Sequence, residues 1–271
     1  MTDGNDAEAL ARTSPLDLFE VSGRSALITG ASGAFGSAAS RALAAAGASV
    51  TITGGSADKL EALAAEIEAA GGTVAAVARR PAEEEDAEAM VSTAVERHGG
   101  LDIVVAAAGT NRVAPIVDFK VDDWDAVMDA NVRGSWLVCR AAGRQLLEQG
   151  RGGKVVLVSS TRGKLGLPSG YTAYCPSKAA VDLLAKTLAC EWGQHRINVN
   201  AIGPTVFRSD VTAWMYEDEG RDTREAILSR IPLGRLGQPE DFVGALLYFA
   251  SAASDFCTGQ VLYVDGGYTA G

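Results

Sequence analysis

The chain has 271 residues, 47% of them hydrophobic, and a formal net charge of −10. That length fits one large domain with an ample core, and the acidic balance argues against a nucleic-acid partner, which needs a basic surface. Mean hydropathy is near zero at +0.09, and no uninterrupted apolar run approaches the ~20 residues of a membrane span.

Residues Met1 to Ser14 are polar and lack both a basic start and an apolar stretch, so they do not read as a secretory signal. They read as a flexible tail over 1–14, ahead of a single domain over 15–271. Ser25–Thr29 then reads as a buried strand, followed by a Gly-rich turn and an Ala-rich helix to about Ala46. Ser49–Thr53 is the next strand and Ala57 to Ala70 the next helix. Thr73 to Ala78, Ile103 to Ala106, Lys154 to Val158, Asn198 to Ile202 and Val261 to Val264 continue the series of strands. Short apolar strands alternating with amphipathic helices imply parallel βαβ units covered on both faces. The fold class expected is α/β, a doubly wound domain with a parallel sheet flanked by helices. Cys139, Cys175, Cys190 and Cys257 show no C-x-x-C spacing and only two histidines accompany them. A metal site and a disulfide framework are therefore not expected, and a reducing cytoplasm is.

Two motifs carry chemistry. Thr29-Gly30-Ala31-Ser32-Gly33-Ala34-Phe35-Gly36 follows a strand and opens a helix. Glycines there let the backbone approach a pyrophosphate, and the helix N-terminus offers free N–H groups. Further along, Tyr174-Cys175-Pro176-Ser177-Lys178 places a phenol and an ammonium one helical turn apart. A cation nearby favours the phenolate and lowers a pKa that is otherwise about 10, toward the range of a general acid or base. Taken alone, each motif has an ordinary reading, as a tight turn or a solvated helix face.

These motifs occur in order with Asn131, Ser159-Ser160, Pro232-Leu-Gly-Arg-Leu-Gly-Gln-Pro-Glu-Asp241 and Val264-Asp265-Gly266-Gly267. The set resembles the ordinary-length branch of the short-chain dehydrogenase/reductase family, over about Leu16 to Gly267. Within it the pattern is similar to 3-oxoacyl-carrier reductases and gluconate 5-dehydrogenase-like members. The resemblance implies a doubly wound Rossmann fold with a seven-stranded parallel sheet, a nicotinamide dinucleotide, a small carbonyl or alcohol substrate, and a homotetramer or homodimer; with no spanning apolar run, no membrane partner is expected. It assigns Tyr174 as proton donor and acceptor, with Lys178 lowering the phenol pKa and bonding the nicotinamide ribose. Ser160 would hold the substrate oxygen and Asn131 would fix a water linking Lys178 to solvent. A catalytically silent dinucleotide sensor on the same fold is the alternative, with no need for such a proton relay.

The resemblance also implies cofactor contacts at Gly30, Ser32, Gly33, Phe35 and Gly36. Further along the chain it places them at Arg80, Ala107, Gly109, Tyr174, Lys178, Pro204, Phe207 and Ser209. Several residues depart from the family pattern. Tyr174 lies fourteen residues after Ser160, one more than usual. The extra residue is expected near Ser169-Gly170-Tyr171, with Thr161 as the competing hydroxyl. Ala34 replaces the usual middle glycine. Ala106-Ala107-Ala108-Gly109 stands for Asn-Asn-Ala-Gly, Arg80-Pro81 for Asp-Val, and Pro204-Thr205 for Pro-Gly. Gly54 and Gly55 occupy the end of the second strand, where NAD-preferring members carry an acid. An absent carboxylate removes repulsion against a 2′-phosphate, so the reading leans to NADP over NAD, with Arg79, Arg80 and Lys59 as candidate partners. Substrate identity is expected in Asn111-Arg112, Arg162 to Tyr171, and Val206 to about Arg224. There Phe207, Trp214, Met215 and Tyr216 could form a lid, and Arg112 or Arg162 could steady an anionic end.

Overall fold

Seven parallel strands form one sheet in the computed structural model, which describes residues 14–167 and 170–271. The strands are β1 Ser25–Thr29, β2 Ser49–Thr53, β3 Thr73–Val77, β4 Ile103–Ala106, β5 Gly153–Val158, β6 Ile197–Pro204 and β7 Val261–Val264. Helices α1 Ala34–Ala45, α2 Ala57–Ala69, α3 Glu84–His98, α4 Val121–Met128, α5 Gly134–Gln149, α6 Tyr174–Trp192, α7 Arg221–Leu228 and α8 Pro239–Ala250 connect or flank them. Nearly all of the expected tail, residues 1–13, lies outside the described residues. Ser14 itself caps a short 3-10 turn over Pro15–Phe19.

Strand β1 is buried at every position, with Ala26, Leu27 and Ile28 giving apolar side chains to both faces. The two-residue strand period then sorts neighbours into two cores. Leu27, Val104, Val155 and Leu157 face one way, onto Met90 of α3, Leu146 of α5 and Trp192 of α6. Ile28, Val105, Val156 and Ile202 face the other way, onto Leu43 of α1, Leu63 of α2 and Phe249 of α8. Helix ends follow local chemistry. Glu83 and Asp86 make a reciprocal capping pair that starts α3, and Gly99, at φ +78°, ends it in the left-handed region.

The strand order is β3-β2-β1-β4-β5-β6-β7, so the chain reverses direction of travel between β1 and β4. Helices leave on opposite faces at such a point and open a crevice beyond the C-terminal strand ends. Strand β6 is longer than its apolar run suggests, 197–204 against 198–202. Pairing with β7 carries it on to Pro204, opposite Val264, and a proline is tolerated at a strand end where no ladder N–H is needed. Among the described residues, no helix is long and apolar enough to cross a membrane.

Candidate active site

Tyr174 is the first residue of α6, and Lys178 stands one turn later on the same helix. The lysine is buried at 5% exposure, and its Nζ donates to the Val158 carbonyl at the end of β5, 2.9 Å away. The same nitrogen sits 5.6 Å from the centre of the Tyr174 ring. Ser160, just beyond β5, faces the Tyr174 phenol and pulls its pKa down, while its hydroxyl donates to the Pro204 carbonyl at 3.3 Å and accepts from the Arg162 N–H. Thr161, the competing hydroxyl, is 1% exposed and starts a 3-10 turn beneath the site. Ser160 is therefore the hydroxyl that shares the tyrosine.

Asn131 lies in a π-helical turn over Asp129–Arg133 that joins α4 to α5. Its side chain is fully buried. The carboxamide accepts from the Thr110 N–H at 2.7 Å and donates to the Thr110 carbonyl at 3.0 Å and to Ser177 Oγ at 2.9 Å. It thus ties the loop following β4 to the helix that carries Tyr174 and Lys178. A Cβ at Gly109 would come within 2.9 Å of Asn131 Oδ1 and 3.6 Å of Lys178 Nζ, so this glycine keeps the crevice floor thin. Ser177 and Thr110 did not stand out in the sequence; the only available signal was the serine next to Lys178.

Burial dominates the electrostatics. It pushes Lys178 down to about 8, against the opposing pull of the Asp182 carboxylate. It also raises the Tyr174 phenol; the Ser160 hydroxyl and the Arg162 charge pull the other way. The simple expectation that the ammonium alone lowers the phenol therefore needs revision, since desolvation outweighs the neighbouring cation here. Tyr174 keeps its proton at neutral pH.

The β1–α1 turn forms the next wall. Gly30 has φ +67°, and a Cβ there would lie 2.6 Å from the Ala107 carbonyl oxygen. A Cβ at Gly36 would overlap the Gly30 backbone, whereas one at Gly33 would meet only ordinary contact at 3.4 Å. No side chain caps α1 at Gly33, so first-turn N–H groups, Phe35 and Gly36 included, remain for an anion. At the far end, Ser32 Oγ would lie 2.8 Å from a Cβ at Gly54, and the Arg80 guanidinium lies directly over Gly55. Arg79 is paired with Asp86 at 2.8 Å and Lys59 with Asp210 at 2.9 Å. Arg80 has no ion pair among the described residues.

Three predicted contacts lie near the β6 end. Pro204 closes β6. Phe207 is buried, with its ring 5.1 Å from that of Phe35, so its side chain supports the turn and only its backbone remains for a ligand. Ser209 caps a 3-10 turn by exchanging bonds with Thr212. Trp214 and Tyr216 are partly exposed beyond it. Arg112, one of the two candidate anion-binding residues, is turned toward Asp123 at 3.6 Å. Of the stretch expected to absorb the extra residue, Ser169 lies outside the described residues; Gly170 adopts φ +80° and its carbonyl accepts from the Ala114 N–H.

Comparison with known proteins agrees with this architecture. The family profile described as enoyl-(acyl carrier protein) reductase matches residues 30–269. An uncharacterized oxidoreductase of Mycobacterium tuberculosis is 60% identical over 267 residues, spanning 97% of this chain and 98% of that protein. Gluconate 5-dehydrogenase of Gluconobacter oxydans is 38% identical over 254 residues, spanning 93% and 97%. Among solved structures, a gluconate 5-dehydrogenase from Burkholderia cenocepacia in complex with NADP and tartrate superposes with a TM-score of 0.88 at 33% identity. That match covers 95% of this chain and 100% of the other.

Proposed function

Because this chain belongs to the short-chain dehydrogenase/reductase family of oxidoreductases, we propose that it interconverts a secondary alcohol and a ketone with NADP, Tyr174 acting as general acid and base. The observation that carries this reading is the convergence of Tyr174, Ser160 and Lys178 at the C-terminal end of β5, beside the uncapped start of α1.

The groove fits a dinucleotide. Gly30 and Gly36 sit where any side chain would collide with neighbouring backbone, which is the close approach a pyrophosphate needs. No carboxylate stands at Gly54 or Gly55, and Arg80 covers the second of these, so a 2′-phosphate would meet a cation rather than an acid. NAD fits the same cradle without that contact. The relative solved with NADP supports the same preference.

When bound, the dinucleotide supplies or accepts the hydride. The chain's own residues handle the proton and the geometry. Ser160 holds the substrate oxygen beside the Tyr174 hydroxyl, and the phenol, kept neutral by burial, gives its proton to that oxygen as a carbonyl is reduced. Lys178 stabilises the phenolate left behind, and Asn131 fixes the α6 face on which both stand. A raised phenol pKa favours reduction at neutral pH and oxidation in alkali. Self-association belongs to the same reading, supported by exposed Trp136 and Leu183 beside an apolar hollow on α5 and α6.

The test is Tyr174→Phe. Turnover should fall by about 10²–10⁴-fold, the usual contribution of a positioned acid, while NADPH binding stays within about twofold. Undiminished turnover would remove Tyr174 from its role.

A further inference from the structure

We propose that the Arg162 guanidinium recognises a carboxylate on the substrate, so that the substrate is a hydroxy acid or the corresponding keto acid. The inference rests on the oxidoreductase reading above and names its substrate class.

Arg162 is 9% exposed, in the short turn that follows Ser160. Its backbone N–H donates to Ser160 Oγ at 3.2 Å, so the arginine is tied to the hydroxyl that holds the reacting oxygen. The guanidinium donates to the Tyr268 hydroxyl at 3.2 Å and lies 5.2 Å from the centre of that ring. Arg230 stacks on the same ring at 4.3 Å. Two cations therefore share one phenol, and neither has a carboxylate within ion-pair distance among the described residues. The nearby acids are committed elsewhere. Asp265 accepts from the N–H groups of Gly267 and Thr269, both at 2.9 Å. Asp182 faces the Lys178 and Lys186 cations of its own helix rather than Arg162.

Charges removed from water are ordinarily paired, because desolvation is otherwise uncompensated. A guanidinium has five donors in a planar fork that matches a carboxylate, and Arg162 uses one of them on a side chain. Its field reaches the Tyr174 hydroxyl and the Cys175 thiol, favouring the anionic form of each. A substrate whose oxygen lies at Ser160 and Tyr174 can thus present an anionic end to Arg162. The contrast with Arg112 is direct, since that residue is exposed and already faces Asp123.

The test is calorimetric titration of the full chain with NADP present. Lactate, 3-hydroxybutyrate, tartrate and gluconate are compared with their neutral amides, and the same titrations are run on Arg162→Met and Arg162→Lys. At least one acid should bind about 10- to 100-fold more tightly than its amide, as expected for a buried charge pair. Arg162→Met should abolish that preference without changing NADPH affinity, and Arg162→Lys should restore part of it. Acids that bind no better than amides, or a preference that survives Arg162→Met, would overturn the inference and leave Arg162 as a pin for Tyr268. The acid-against-amide comparison on the unaltered protein decides the matter even if Arg162→Met does not fold. Failure of NADPH itself to bind would instead strike the parent reading.

Discussion

At the β5 end of the groove, Lys178 and Asn131 are buried and every polar group of the Asn131 carboxamide is bound to a neighbour. At the β2 end, Arg80 lies exposed across Gly55, with no ion pair among the described residues. The first region is a locked network in which each side chain fixes the next. The second is a single long side chain laid over a glycine. Chemistry that depends on sub-ångström placement belongs on the first kind of construction. Selection between two forms of one cofactor needs only a charge within reach, the role proposed for Arg80.

Substitutions should divide along the same line. The largest loss is the one already given for Tyr174→Phe, in turnover alone. Asn131→Ala should come next, because it strands the Thr110 N–H and carbonyl in a buried site and leaves Ser177 Oγ with only its bond to the Tyr174 carbonyl. Unmade buried hydrogen bonds cost about 1–3 kcal/mol each, so a clear fall in melting temperature should accompany loss of activity. A variant that melts normally would show that the network is less tightly coupled than its geometry implies.

The pH dependence sharpens the same contrast. With Lys178 held near 8 in the folded chain, kcat/KM for reduction should fall as pH rises through about 8, where the ammonium is lost. The folded pKa lies below the ordinary lysine value of 10.5, so between these two values the unfolded chain binds the extra proton. The Lys178 contribution to stability should accordingly improve as pH rises across that window. A reduction profile that stays flat through pH 9 would place the titration elsewhere.

At the adenosine end effects should be smaller and confined to binding. Arg80→Ala should weaken NADPH by about tenfold, in line with a charge-assisted hydrogen bond worth roughly 1.5–3 kcal/mol, and leave NADH unchanged. Arg79→Ala should change either cofactor by less than about twofold, since exposed ion pairs such as Arg79–Asp86 are worth little. Equal losses for Arg79 and Arg80 would erase the distinction between them.

How much of this was legible in the sequence follows from the range of the forces involved. Strands β1 and β2 were readable to the residue, because β-branched apolar runs bounded by glycine have few alternatives. Tyr174, Lys178 and Ser160 were readable because their spacing is local to one helix and one strand end. Arg80 was only one of three candidate cations. Its position over Gly55 depends on the β2–β3 register, Thr53 beside Val77, and on the pairing of Arg79 and Lys59 with acids far from the motif. The choice between Arg112 and Arg162 was likewise invisible, because it turns on Asp123 and Tyr268, distant in the chain from one or both. The raised phenol ran against the motif's simplest reading because burial is a property of the whole fold.

The most direct test of this division is a parallel titration of the protein with NADPH and NADH, followed by quenching of its four tryptophans. NADPH should bind at least about tenfold more tightly, and Arg80→Ala should bring the two together. NADH binding as tightly as NADPH would contradict the assignment of Arg80 and with it the account of the adenosine end.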